Sequence, residues 1–169
     1  MLVNFRTEEF VDRATFELLG IESIKLLDER LKLTIEQIRK FYNFPMVINN
    51  WVFGGNFQNR CYRTQKSIVG SRSGSHYRGM GVDFDCYDAK KVMIPAIEMR
   101  KKIFADIDKF PYIRMIETGV NWVHVDVMDE KDSQRRIGCN DSNILIYDFV
   151  TKSSQFVNRS DLANYKEKE

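Results

Sequence analysis

Histidine occurs only twice in this chain of 169 residues, and cysteine only three times. Cys61, Cys86 and Cys139 are odd in number and widely spaced, with no Cys-x-x-Cys pair. That argues against a disulfide framework and a cysteine-rich zinc site, and for reduced thiols made in a cytosol. No apolar run is long enough to span a bilayer. The opening MLVNFRTEEFVDRATFELLG carries acids where a secretion signal needs an apolar core. The chain is therefore expected to be synthesised in the cytoplasm without a signal peptide and to have no membrane partner. Internal repeats and low-complexity linkers are also missing. A net charge of +2 is too small to argue for nucleic acid. Arg60, Arg63, Lys66, Arg72 and Arg78 do cluster locally, which suits an anionic substrate or a solvated basic loop equally.

What is present describes one globular domain over residues 1–169, with 43% hydrophobic and 30% charged residues. Leu27, Leu31, Ile35, Ile38 and Tyr42 share one face of a helix expected over 22–43, which Pro45 stops. A strand is expected over 46–53. The stretch 54–79 is rich in Gly, Ser, Asn and Arg, and irregular segments of that length usually serve a site. A strand over 81–86 points Val82, Phe84 and Cys86 one way and Gly81, Asp83 and Asp85 the other. A helix over 95–110 begins at Pro95 and ends before Pro111. Strands over 112–117 and 121–128 form a hairpin turning at Thr118-Gly119. Residues 143–150 supply another strand, and the polar tail from Leu162 is expected to fray. The fold class is α+β, with helices packed on a mainly antiparallel central sheet.

Alternation then places chemistry. Val123, Val125 and Val127 share the core-facing side of their strand, so Trp122, His124 and Asp126 share the other. Asp83 likewise lies opposite Val82 and Phe84, and His76 sits seven residues before it. His76, Asp83 and His124 would make a His₂Asp set. Three imidazole and carboxylate ligands with an open fourth position are the pattern of catalytic zinc. Glycines 79 and 81 would let the backbone turn closely beneath the ion. A lone histidine is more often a surface or core residue than a ligand, and Asp83 alone reads equally as a strand-end aspartate. Spacing by itself leaves both readings open.

HYRGMGVD (76–83) resembles the HxxGxAxD signature of the zinc D-alanyl-D-alanine carboxypeptidases, which share the hedgehog-like fold. NWVHVD (121–126) resembles that family's W-x-H-x-D segment. WVFGGNFQNRCYR (51–63) is similar to a stretch that closes in Gly-Tyr-Arg, particularly in phage and prophage members. The likeness spans 46–128. It implies one Zn²⁺ held by His76, Asp83 and His124, with Arg63 as the cation that steadies an oxyanion and contacts substrate.

The departures are specific. The family's alanine is Gly81. Its serine two positions before the first histidine is Gly74, leaving Ser73 and Ser75 beside it, with Ser75 the candidate for a substrate hydrogen bond. Cys61 replaces the glycine before Tyr62-Arg63. Relatives carry Glu or His three residues before the last ligand, where this chain has Asn121. An amide takes no proton from water, so Glu117 across the hairpin is the candidate base, its alternative being an exposed acid at a turn. Asp126 would orient a neighbouring group, and Asp85 is open in the same way. Trp122 is a substrate-cleft wall or a packed aromatic.

The resemblance implies a zinc peptidase acting on peptidoglycan peptide stems. It would be a carboxypeptidase or an endolysin-like endopeptidase of phage or prophage type, monomeric, and acting on the wall after release. A non-catalytic phage structural or wall-binding protein is the rival. A nucleic-acid or anion binder has little support from the charge balance.

Overall fold

A computed structural model describes residues 2–64 and 74–167. Lys66, Arg72 and Ser73 lie outside the described residues. The chain is α+β: a mixed seven-stranded sheet with a few helices.

The first helix, α1 (Arg13–Leu19), is capped by Asp12, whose carboxylate accepts from Thr15 N at 2.9 Å. A 3₁₀ segment, Gly20–Leu26, follows. The second helix, α2, runs Glu29–Tyr42 rather than from residue 22. Asp28 caps it, accepting from Arg30 N at 2.8 Å, so the chain restarts there instead of continuing one long helix. Leu31, Ile35 and Ile38 form its buried face. Asn43, in the left-handed region at φ 54°, ends it two residues before Pro45.

The strand expected over 46–53 is only β1 (Met46–Val47). Beyond it Asn49 is fully buried; its side chain donates to Val11 O and accepts from Arg60 N, and Trp51–Phe53 turns as a 3₁₀ segment. The alternating segment forms β2 (Gly81–Tyr87), followed by a short β3 (Met93–Ile94). Pro95 caps α3 (Ala96–Ala105), which is shorter than the expected 95–110 because a 3₁₀ turn, Ile107–Lys109, completes the segment.

The hairpin is β4 (Met115–Thr118) and β5 (Val123–Asp126), joined by a wider loop than a two-residue turn, with Gly119 at φ 72°. β6 (Asn143–Asp148) pairs with β7 (Ser153–Asn158). Its Ser-Ser-Gln-Phe-Val-Asn sequence is too polar to announce a strand, and β7 lies exposed beyond β6. Strand order is β1-β2-β5-β4-β6-β7, with β3 also on β2. All pairings are antiparallel except β4 with β6.

One sheet face carries Val82, Phe84, Ile116, Val123, Val125, Ile144 and Ile146, in one core cluster with Met99, Ile103 and Phe104 of α3 and the apolar stripe of α2. Full burial of each such side chain contributes about 1.5–3 kcal/mol. All three cysteines are buried and free. Among the described residues, no helix is long and apolar enough to cross a membrane.

The tail expected to fray is docked as far as Glu167. Leu162 is fully buried, Tyr165 meets Phe104 edge-on at 5.2 Å, and Glu167 pairs with Arg100.

Candidate metal centre

Sheet register assembles the site on the face opposite the core. Asp83 of β2 stands opposite His124 of β5, which stands opposite Glu117 of β4. The row continues through Tyr147 of β6 to Ser154 of β7. Because a strand alternates with period two, burying the valines on one side obliges these groups to share the other.

His76 reaches the row from a 3₁₀ turn, Ser75–Arg78. Gly79 ends that turn at φ 65°, where a Cβ would strike Leu26 O, and its carbonyl accepts from Asp28 N at 2.9 Å. The glycine thus docks the turn on the start of α2. Gly81 is needed for a different reason: a Cβ there would collide with the Ser75 side chain and lie 3.4 Å from His124 Cε1. Glycine in place of the alanine of the resembled motif therefore goes together with Ser75.

His76, Asp83 and His124 are all buried, and one ligand atom from each lies within 4.8 Å of the others. His76 Nδ1 is 2.8 Å from the carbonyl of Cys61. A carbonyl can only accept, so Nδ1 carries the hydrogen. Burial lowers the His76 pKa against the opposing pull of Asp83, which favours the neutral ring with its lone pair on Nε2. That lone pair faces Asp83 Oδ1 at 3.4 Å. Two electron-rich atoms facing each other with no proton between them suit a cation.

His124 Nδ1 donates to the same Asp83 oxygen at 2.6 Å. Burial disfavours its charge, but Asp126 and Asp83 outweigh that and raise its pKa to about 10. The Asp83 carboxyl is pushed up by burial yet held well below its ordinary range by the two imidazoles. Its other oxygen accepts from Arg63 Nη2 at 3.0 Å, leaving Oδ1 to face the histidines. The donor set thus fits one metal ion: His76 Nε2, Asp83 Oδ1 and His124 Nδ1.

The sequence candidates gather in a cleft of about 610 Å³, lined by Arg63, Ser75, His76, Asp83, Glu117, Trp122 and His124. Glu117 is half-buried rather than an exposed turn acid. Burial raises its pKa, with Asp83 adding to the rise and His124 and Lys152 opposing it. Trp122 meets Phe149 edge-on at 6.3 Å on the cleft wall.

Asp126 lies behind the cleft, fully buried. It forms an ion pair with Arg136, and its Oδ2 is 3.9 Å from His124 Nε2, which makes no hydrogen bond among the described residues. Asp85 is engaged by Arg60 at 2.5 Å, an ion pair away from the histidines. Of the basic cluster, the described members do not converge: Arg60 and Arg63 each hold a carboxylate, while Arg78 donates to Asp132 O.

Arg136, Met115, Tyr147 and Phe149 also line the cleft and were not singled out from the sequence. Alternation along 143–148 could have found Tyr147, two residues from Leu145 on the same face. Arg136 comes from a short 3₁₀ turn, Gln134–Arg136, and carries no periodic signal.

Comparison of the chain with protein-family models, curated proteins and solved structures finds no match.

Proposed function

We propose that the chain is a zinc-dependent hydrolase of amide bonds in the peptide stems of bacterial peptidoglycan. The observation that carries this reading is the His76 lone pair facing the Asp83 carboxylate, with His124 completing the donor set and a second carboxylate, Glu117, one strand away in the same cleft. The peptide-stem substrate rests on the likeness of HYRGMGVD and NWVHVD to the zinc D-alanyl-D-alanine carboxypeptidases. His76, Asp83 and His124 would hold the zinc ion, which would supply Lewis acidity for polarising an amide carbonyl and acidifying water.

The chain's own groups do the rest. Glu117, its pKa raised by burial, takes a proton from the attacking water and returns it to the departing amine. The products are a carboxylate and an amine. Arg63 holds the outer oxygen of Asp83 and brings positive charge to the cleft, where an oxyanion develops. Ser75 and Trp122 bound the space a peptide would fill. Action on the wall follows release from the cytoplasm, as for an endolysin.

A second reading, a wall-binding or phage structural protein that binds metal without turnover, is favoured by one feature: Asn121 stands where the resembled family carries a base.

Zinc stoichiometry and digestion of muropeptides test both readings. The expected result is about one zinc per chain, lost in His124→Ala. Glu117→Gln should keep the zinc but lose about 10²–10⁴-fold in turnover. Zinc retained without His124 sinks the site. Zinc bound with no hydrolysis by the native chain selects the second reading.

A further inference from the structure

The segment around Glu167 makes a polar contact that the metal centre does not use. Arg100, on α3, is 2% exposed and the Glu167 side chain 4%. They form a two-pronged pair: Arg100 Nε to Glu167 Oε2 at 2.8 Å and Nη2 to Oε1 at 2.5 Å. Both partners also reach the loop between β4 and β5. Arg100 Nη1 donates to Trp122 O at 2.7 Å, and Glu167 Oε1 accepts from Gly119 N at 3.2 Å. One buried ion pair therefore grips each end of residues 119–122. This is the loop that separates Glu117 from His124 and carries Trp122 into the cleft wall.

We propose that Arg100 and Glu167 are positioning residues of the cleft, holding the 119–122 loop so that Trp122 stands over the metal centre. In treating Trp122 as a substrate wall, the inference rests on the reading above.

The grip is directional. A bidentate guanidinium–carboxylate pair fixes angle as well as distance. The third guanidinium nitrogen, Nη1, donates to a loop carbonyl. Gly119, at φ 72°, would press a Cβ against Val150, so the loop's own backbone leaves little slack on that side. The segment bearing Glu167 is otherwise tied by Leu162, by the Tyr165–Phe104 contact, and by Gln155 Nε2 donating to the Tyr165 hydroxyl at 3.3 Å. Those ties lie outside the loop, so releasing the ion pair frees the loop without undocking the segment. None of the three metal-ligand side chains hydrogen-bonds to Arg100 or Glu167. Zinc binding and loop order are thereby separable.

The test uses the full chain with Trp51→Phe, so that Trp122 is the sole indole, comparing Arg100→Met/Glu167→Met with its parent. Removing both charges avoids leaving one buried alone. Amide exchange at residues 119–122 should quicken about tenfold or more while the β6–β7 pairing is unchanged. Trp122 emission should move to longer wavelength. Zinc affinity, titrated with the metal alone, should stay within about twofold, and KM for a peptide should rise about tenfold with kcat nearly unchanged.

Unchanged exchange and emission in a folded double variant would overturn the proposal. So would a parallel loss of zinc affinity, because the pair would then support the whole sheet rather than the loop. If the parent binds no zinc and cleaves nothing, the hydrolase reading fails, and the exchange and emission comparison still decides whether the pair holds the loop.

Discussion

The two faces of the central sheet are made by the same strands and differ in almost everything else. On one face Val82, Phe84, Val123, Val125 and Ile116 join the core with α3 and the α2 stripe. On the other, one residue along each strand, Asp83, His124 and Glu117 stand abreast. The apolar face gains from every atom it removes from water and needs no particular partner for each side chain. The polar face is buried as well, with Asp83 8%, His124 5% and Asp126 0% exposed, so each of its charges needs a counter-charge. Arg63 for Asp83 and Arg136 for Asp126 meet that need. The apolar face holds together through close packing shared among many neighbours; the polar face holds together through named pairs.

The largest effect expected is on the apolar side. Phe84→Ala should cost about 3–5 kcal/mol of stability in urea denaturation, and zinc binding should vanish only as the fold is lost. A cost below about 1 kcal/mol would mean that Phe84 is not a keystone of the core.

Next comes a cut through the polar side. Arg136→Met should cost about 3 kcal/mol, because the buried Asp126 loses its close ion pair and keeps only the 3.9 Å approach of His124 Nε2 as a counter-charge. Adding Asp126→Asn should restore most of that loss. If the double variant is as unstable as the single, the pair is not what stabilises this face.

The smallest effect is graded by pH. Without metal the His124 pKa is raised to about 10, so binding through Nδ1 must expel a proton throughout the neutral range. Apparent zinc affinity should rise about tenfold per pH unit from roughly 7 to 9 and flatten towards the His124 value. In the metal-free chain the sign is the reverse. A raised histidine pKa contributes stability that is complete below its unfolded value and is lost as pH climbs through about 10. His76, lowered by burial, acts oppositely and weakens the fold as pH drops through the ordinary histidine range. A pH-independent zinc affinity would show that His124 is not the residue giving up a proton.

Legibility in the sequence followed the reach of each signal. The β2 alternation and the valines of β5 were readable because period two is local, and with them the shared face of Asp83, His124 and Asp126. The α2 stripe was readable too, but not its start, because the Asp28 cap competes with an apolar pattern that runs on through the 3₁₀ segment. β7 was hidden by its polar, exposed sequence, and the docking of Glu167 by an ion-pair partner 67 positions away. Arg136 was invisible for a different reason: it sits in a short 3₁₀ turn with no periodic signal, and its partner, Asp126, lies on another element.

By itself, then, the sequence determined which side chains share a face and which residue types could ligate an ion, since strand alternation and donor chemistry need no distant partner. Tertiary structure alone decided that Asp83, His124 and Glu117 stand in one row, that β6 extends it in parallel, and which arginine meets which carboxylate. Register and loop docking join residues far apart in the chain, and only the closing of the sheet and the exclusion of water from both of its faces select among such pairings.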